Sequence, residues 1–173
     1  MPLGTDTKQY ETPNHPYQGE RIANEHSLLD RYGLKNKEEL WRAQSRLRSY
    51  RREARDLLAQ PQADDAVIRR RSEFLGRLRR IGVLGDEDGL GDVLGLEIED
   101  VLERRLQTVV YRKGLANTPQ QARQFISHGH ITVNGRRHRV PSYVVDISEE
   151  STVAIDETSP LADELHPERA EGQ

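Results

Sequence analysis

Basic side chains accumulate between Arg104 and Arg139, a stretch of 36 residues without one aspartate or glutamate. Guanidinium groups bind phosphate through a planar fork of N–H donors and also stack on nucleobases, so such a stretch favours a polyanionic ligand. The alternative is a solvated charged face, which is the usual role of a charge run. The complete absence of acid, in a chain whose net charge is −3, argues against that alternative and predicts an anion-binding surface.

A second basic block covers residues 42–80, where twelve arginines accompany five carboxylates. Residues 81–103 contain eight acidic residues and no basic one, and residues 140–173 contain nine acidic residues and one arginine. This alternation predicts that anion binding is confined to two blocks of an otherwise acidic chain.

Composition excludes several kinds of site. The chain has no cysteine, so disulfides, thiolate zinc sites and cysteine nucleophiles are ruled out. His128 and His130 lack a third ligand nearby in sequence, so we expect neither a metal nor another cofactor. No apolar run approaches the length of a membrane span and no secretory leader is recognisable, so we expect a soluble, intracellular protein without a membrane partner. Nothing in the pattern calls for an obligate homo-oligomer.

Helical patterns dominate the first half of the chain. Residues 1–20 combine prolines and glycines without an apolar period, which predicts an extended arm. An apolar stripe at spacings of three and four predicts a helix over residues 38–59. Asp64 and Asp65 then supply the N-cap and the acidic first turn of a second helix, which should end before Gly82.

The second half changes from helical to strand patterns. The Gly- and Asp-rich residues 84–97 predict a connection, and a third helix is expected over residues 98–113. Thr118 and Gln121 form the pattern of a capping box at the start of a further helix that stops at Gly129. Asn134-Gly135 is a strong signal for a two-residue hairpin. Further strand-like runs are residues 136–140, 143–147 and 152–155.

These elements predict an α+β fold in which a mainly helical N-terminal domain precedes a domain of two helices packed on a small sheet. The expected segments are an arm (1–20), a helical domain (21–97), the second domain (98–156) and an acidic, disordered tail (157–173). The helix beginning at Thr118 offers backbone N–H groups and a positive dipole end, which favour phosphate. Donors of fixed geometry near His128 and His130 suit folded RNA, which is recognised by its backbone shape and 2′-hydroxyls.

Four short runs in the second domain carry a resemblance to a known family. They are LERRLQT (102–108), GLA (114–116), QAR (121–123) and HGHITVNG (128–135). They resemble the RNA-binding module named after small-subunit ribosomal protein S-four, a module that also occurs in RNA-modifying enzymes and synthetases. Three further runs, YGLKNKEELWR (32–42), RIGVL (80–84) and LGLEIED (94–100), resemble the archaeal and eukaryotic branch of the S-four ribosomal family itself. The similarity extends over about residues 8–156.

The resemblance implies a structural, non-enzymatic constituent of the small ribosomal subunit. Such a protein binds the 5′ domain of 16S ribosomal RNA directly, nucleates assembly of the 30S body, and influences translational accuracy with its neighbours S-five and S-twelve. The module residues that it implies for RNA contact are Arg104, Arg105, Gln107, Arg112, Lys113, Thr118, Gln121, Arg123, His128, His130, Asn134, Arg136 and Arg137. The helical residues expected to form a second contact surface are Arg42, Arg46, Arg48, Arg52, Arg55, Arg70, Arg79 and Arg80.

Two other functions fit part of the sequence. An RNA-modifying enzyme would use the module for docking, but residues 1–97 offer no nucleophile, acid–base pair or phosphate loop. A free RNA chaperone or stalled-ribosome binder would need only the module, and it leaves the matching N-terminal half unexplained.

The chain departs from the family in its charge, because S-four proteins are usually strongly basic. An acidic excess with few lysines resembles proteins of salt-loving archaea. Phosphate contacts weaken steeply as salt rises. We therefore hypothesise that binding relies on shape, bidentate arginine and stacking, so that affinity persists at molar potassium.

Overall fold

The computed structural model describes residues 9–61, 64–163 and 166–168. Eight α-helices, three short strands and one 3₁₀ turn follow one another in this part of the chain. Their order is α1 Gly19–Tyr32, α2 Lys37–Ala59, α3 Asp65–Ile81, α4 Leu90–Gly95, α5 Ile98–Glu103, α6 Leu106–Arg112, α7 Pro119–His128, β1 Ile131–Val133, β2 Arg136–Arg137, α8 Ile147–Glu150, β3 Ala154–Ile155 and the turn Pro160–Ala162. The predicted α+β class is confirmed.

Helices α2 and α3 form where the sequence predicts them. The Asn36 side chain accepts a hydrogen bond from the Glu39 N–H at 3.2 Å and so caps α2, and Asp64 caps α3 through the Ala66 N–H at 2.9 Å. Helix α3 ends at Gly82, which adopts a left-handed conformation with φ of 80°. Capping removes unpaired N–H groups at the helix starts, and the apolar stripes then pack between the helices.

Helices α1 and α4 lie in segments for which no helix was predicted. Helix α1 ends in buried Tyr32 and closes at Gly33, a left-handed residue. Helix α4 lies within the segment predicted as a connection, and its Leu90 and Val93 are buried. The contact between α4 and α2 is more extensive than that between any other two elements. Packing against α2 therefore stabilises a six-residue helix whose glycines disfavour it in isolation.

The prediction of one continuous helix over residues 98–113 is wrong. The chain leaves the helix at Arg104 and Arg105, where Arg105 forms an isolated antiparallel bridge with Val144. The Leu106 N–H donates to the Tyr143 carbonyl at 2.7 Å, and the Val145 N–H donates to the Arg104 carbonyl at 2.9 Å. These long-range backbone bonds replace helical ones, so two short helices form instead of one.

Helix α7 and the following hairpin confirm the turn signals. Thr118 accepts a hydrogen bond from the Gln121 N–H at 3.1 Å, while the Gln121 side chain accepts from Asn117 rather than from Thr118 itself. Asn134 and Gly135 both have positive φ, 52° and 72°, as a primed hairpin turn requires.

The sheet is shorter than predicted. Its strand order is β2-β1-β3, with β1 antiparallel to both neighbours. Only Arg136–Arg137 and Ala154–Ile155 form strands beside β1. The predicted strand over residues 143–147 is reduced to an isolated bridge at Val144, and Ile147 begins helix α8. The prediction of a disordered tail from residue 157 is wrong for Pro160–Ala162, because this turn buries Leu161. Thr158 and Ser159 also form hydrogen bonds, to Asp156 and His130 respectively. Residues 164–165 and 169–173 of the predicted tail lie outside the described residues.

Two apolar clusters form the interior. The first is built from α1 to α5 and contains Leu40, Leu78 and Leu102, each fully buried. The second is built from α6, α7, the sheet and Leu161, and it contains Leu106, Ile126 and Ile131, also fully buried. The break at Arg104 and Arg105 therefore lies where the chain passes from one cluster to the other.

Candidate nucleic-acid interface

Glu39 lies at the junction of the two clusters and contacts two predicted RNA-binding arginines. Arg123 donates to it at 2.6 and 3.1 Å, and Arg105 donates at 3.1 Å. Burial opposes the charge of Glu39, but the Arg123 hydrogen bonds and the charge of Arg105 lower its pKa below the usual range. The carboxylate is therefore ionised at neutral pH, and it holds the start of α2 against α6 and α7.

Gln107 makes a second contact across the same junction. Its side chain is fully buried, and Nε2 donates to the carbonyls of Gly33 at 2.8 Å and Pro119 at 2.9 Å. Gly33 has φ of 59°, and a Cβ placed there would lie 2.8 Å from that of Pro119. Gln107 and Gly33 thus lie inside the molecule, where they position the module and have no free surface for RNA.

Arg104 and Lys113 bind the C-terminal segment of the module. Arg104 donates to Glu150 and to the Val145 carbonyl, both at 2.9 Å. Lys113 donates to the Glu150 carbonyl at 2.7 Å and the Val153 carbonyl at 2.9 Å. These bonds attach α6 to the segment around α8 and β3.

Two further module arginines are paired with acidic residues. Arg112 donates to Glu103 at 2.8 Å, and Glu103 also accepts the hydroxyl hydrogen bond of Tyr32 at 2.9 Å. Arg137 pairs with Asp156, and this pairing together with hydrogen bonds from Thr158 lowers the pKa of Asp156 well below its ordinary value. Both arginines are about half exposed, so one side of each guanidinium remains available to a ligand.

The polar residues predicted around α7 lie at its two ends. Thr118 and Gln121 lie at its start, and Gln121 also donates to Glu168. His128 is exposed at its end, 6.0 Å from the ring of His130. Burial and the charges of His128 and Arg137 lower the pKa of His130, whose Nδ1 is bonded to Ser159 at 2.8 Å. His130 therefore contributes hydrogen bonds rather than charge at neutral pH.

Asn134, in the hairpin turn, is exposed, and its side-chain amide donates to Glu149.

A smaller set of arginines has exposed side chains that form no hydrogen bond or ion pair with any residue that the structure describes. On the module these are Arg136 and Arg139, of which Arg139 lies over Gly129. On α2 and α3 they are Arg46, Arg52, Arg55, Arg69, Arg70 and Arg80. Of the other predicted residues, Arg42 lies 4.0 Å from Glu38, Arg48 lies 3.5 Å from Glu11, and Arg79 donates to the Asp88 carbonyl at 2.7 Å.

A cleft between α2 and the module joins the two basic surfaces. Its lining includes Arg42 and Arg46 of α2, Arg105 of the module, Ser142 and Tyr50, and its one acidic residue among those described is Glu39. Arg105 is almost completely buried, and its Nε has no hydrogen-bond partner in the described part of the chain. Burial lowers the pKa of Arg105, as do the charges of Arg123 and Arg46, while Glu39 opposes this effect. With three arginines and one glutamate among its described lining residues, the cleft carries more positive than negative charge.

The sequence did not predict the carboxylates that accompany the basic face. Glu39, Glu103, Glu150 and Asp156 all lie outside residues 104–139, and the fold places them beside the basic side chains of that stretch. Among the described residues no group of three or more histidine, aspartate or glutamate side chains is arranged to hold a metal ion. No helix of the described chain is long and apolar enough to cross a membrane.

A helix–helix–hairpin module with exposed arginines, joined through a basic cleft to an arginine-rich helical pair, defines an RNA-binding protein. Comparison with known proteins agrees with this class, since residues 104–151 match the S4 domain family. Over its whole length the chain is 70% identical to the small ribosomal subunit protein uS4 of Natronomonas pharaonis, covering all of that protein. It is 67% identical to uS4 of Halobacterium salinarum, over 98% of this chain and 97% of the relative. It is 52% identical to uS4 of Methanococcus aeolicus, over 95% and 93%.

The chain belongs to the uS4 family of small ribosomal subunit proteins. The resemblance to the archaeal branch of this family is confirmed, as is its link to salt-loving archaea, the source of the relatives from Natronomonas and Halobacterium. Family membership makes this a structural, rRNA-binding ribosomal protein rather than an enzyme.

Proposed function

We propose that the chain binds the 5′ domain of 16S ribosomal RNA directly, through one surface that extends from the module across the cleft to α2 and α3. Binding of this kind would occur early and nucleate assembly of the 30S body. The proposal rests on one observation above all: exposed arginine side chains without described partners occur on both the module and α2, the two parts between which the cleft lies. They are Arg136 and Arg139 on the module and Arg46, Arg52 and Arg55 on α2.

The predicted contact residues divide into two kinds under this proposal. Residues with open guanidinium or imidazole groups, such as Arg136 and His128, would contact RNA directly. Residues already bound to carboxylates, such as Arg104, Arg105 and Arg123, would mainly position the surface, and each offers RNA only its remaining donors. Gln107 would act solely through packing of the junction.

We also propose contacts with the neighbouring ribosomal proteins S-five and S-twelve, through which the protein would influence translational accuracy. The family resemblance supports this part. Val140 and Ile147 of the module are each 55% exposed and offer apolar area for a protein neighbour. Cross-linking in assembled small subunits, followed by identification of the joined peptides, would test these partners.

Paired substitutions test the RNA proposal. Arg136→Ala with Arg139→Ala removes charge from the module, and Arg52→Ala with Arg55→Ala removes it from α2. Each phosphate contact contributes about 0.9 to the slope of log affinity against log salt, so each double variant should flatten that slope by about 2 and weaken binding by about fiftyfold at moderate salt. Filter binding to the isolated 5′-domain RNA, repeated up to molar potassium chloride, measures both quantities.

Arg31→Ala with Lys35→Ala is the matched control, because both side chains are exposed and lie outside the proposed contact set. This control should change the slope little. Equal weakening by the control and both test variants would show that only net charge matters. Wild-type binding that disappears well below molar salt would refute the reliance on shape and bidentate contacts. Sedimentation of the protein only in light gradient fractions, away from small subunits, would favour a free RNA chaperone.

A further inference from the structure

Glu39 occupies an unusual position for an acidic residue in an RNA-binding protein. It is only 16% exposed on its side chain, and it lies in the cleft that joins the two proposed contact surfaces. Two guanidinium groups converge on its oxygens, with the shortest distance 2.6 Å to Arg123. This is the arrangement in which arginines also bind phosphate, so the carboxylate occupies a place suited to an RNA phosphate.

The arginines around Glu39 make its negative charge important for the charge balance of the cleft. Arg42 and Arg46 line the same cleft from α2, and the side chain of Arg46 forms no hydrogen bond or ion pair with any described residue. Arg105 retains an Nε without a described partner, although the side chain is almost wholly buried. Without Glu39, the cleft would hold several neighbouring positive groups and no negative one among its described lining residues. Such a cleft would attract any polyanion.

We propose that Glu39 is a specificity-determining residue, which positions Arg105 and Arg123 for the cognate RNA and reduces the attraction of the cleft for other RNAs. This inference rests on the proposed function. Glu39 would act in two ways whose effects differ between ligands. Its charge opposes every phosphate that approaches the cleft, whereas its hydrogen bonds fix two arginines that only an RNA of matching shape uses.

The two effects separate cognate from unrelated RNA. An unrelated RNA depends on summed charge, so removal of the negative charge strengthens its binding. The cognate RNA gains the same charge term but loses the fixed geometry of Arg105 and Arg123, and ordering free side chains on binding costs affinity. For the cognate RNA alone, the gain from lost repulsion and the loss from unfixed arginines oppose each other. Specificity, the ratio of the two affinities, should therefore fall when Glu39 is neutralised.

Glu39→Gln tests the proposal, because it keeps the size of the side chain and one carbonyl acceptor. Filter binding compares the 5′-domain RNA with an unrelated structured RNA of equal length. We expect the variant to bind the unrelated RNA about tenfold more tightly at moderate salt, as gain of about one phosphate contact would produce. Its affinity for the 5′-domain RNA should change less than about threefold, so the specificity ratio should fall.

Two further variants distinguish specificity from charge and from folding. Glu38→Gln removes the same charge from the exposed neighbouring residue, which lies 4.0 Å from Arg42, and it should change both affinities equally and slightly. Glu39→Asp keeps the charge, so it should retain most of the wild-type ratio even where thermal unfolding shows reduced stability. Equal changes for both RNAs in Glu39→Gln, or a ratio lost equally in Glu39→Asp, would overturn the proposal.

The wild-type measurement separates the two proposals. A wild-type protein that does not prefer the 5′-domain RNA over the unrelated RNA would contradict the proposed function itself. A wild-type protein that has this preference, together with a Glu39→Gln variant that keeps it in full, would contradict only the role of Glu39.

Discussion

The module and the α2–α3 pair are both rich in arginine, but they use it differently. Six of the eight basic residues between 104 and 139 are bonded to carboxylates or carbonyls of other segments. On α2 and α3, by contrast, Arg46, Arg52, Arg55, Arg69, Arg70 and Arg80 are exposed without described partners. Residues 104–139 contain no carboxylate, yet in the folded protein carboxylates from other segments pair with most of their arginines. Charge along a sequence therefore indicates a basic surface without indicating how much of its charge is free to bind RNA.

The largest expected effect contrasts an arginine from each region. Arg105→Ala should destabilise the protein by about 3 kcal/mol, because it removes one partner of a buried pair and leaves Glu39 less compensated. Arg55→Ala should change the free energy of unfolding by less than about 0.5 kcal/mol, since exposed side chains without partners contribute little. Urea unfolding in concentrated potassium chloride measures both. Similar values for the two variants would remove the distinction between paired and free arginine.

The hydrogen bond between Tyr32 and Glu103, which joins α1 to the end of α5, should be sensitive to alkaline pH. Burial, followed by the hydrogen bond to Glu103, raises the pKa of Tyr32 from 10.0 to about 12. A raised folded-state pKa means that the stability contributed by the neutral phenol is complete below pH 10 and is lost as pH rises towards 12. The difference in tyrosinate absorbance between wild type and Tyr32→Phe should show one group titrating near pH 12. A difference titration centred near pH 10 would contradict the buried hydrogen bond.

The smallest expected effect comes from one glycine substitution in the module and one in the helical N-terminal domain. Gly135→Ala places a side chain at φ of 72° in the hairpin turn and should cost about 1 kcal/mol. Gly91→Ala lies inside helix α4 with open space around its Cα, so it should stabilise the protein by about 0.5 kcal/mol through lower unfolded-state entropy. Thermal unfolding compares the two. Opposite signs are expected, and equal signs would contradict the conformations assigned to these glycines.

Local signals predicted the elements that depend on neighbouring residues. The caps at Asp64 and Thr118 and the turn at Asn134-Gly135 bond within a few residues, so their sequence patterns are sufficient. The break at Arg105 depends instead on Val144, and α4 depends on packing against α2. No local pattern carries those interactions, which explains why the break at Arg105 and helix α4 were not predicted.

For the candidate site, the sequence predicted the basic residues but not the carboxylates that pair with them. Basic composition identified the module and the helical arginines as candidate anion-binding surfaces, and the family resemblance implied that the ligand is RNA. The pairing of Arg123 with Glu39 spans 84 residues, and that of Arg104 with Glu150 spans 46. Such partners are known only from the fold, and the contacts of these residues with RNA remain predictions.

The buried amide of Gln107 has a consequence for the order of events during synthesis. The carbonyls of Tyr32 and Gly33 that it binds emerge from the translating ribosome some 75 residues earlier, and the carbonyl of Pro119 emerges 12 residues later. N-terminal segments generally fold first during synthesis, so we expect these two carbonyls to be bonded to water when α1 forms. We expect docking of the module to expel that water once α6 and the start of α7 have left the tunnel.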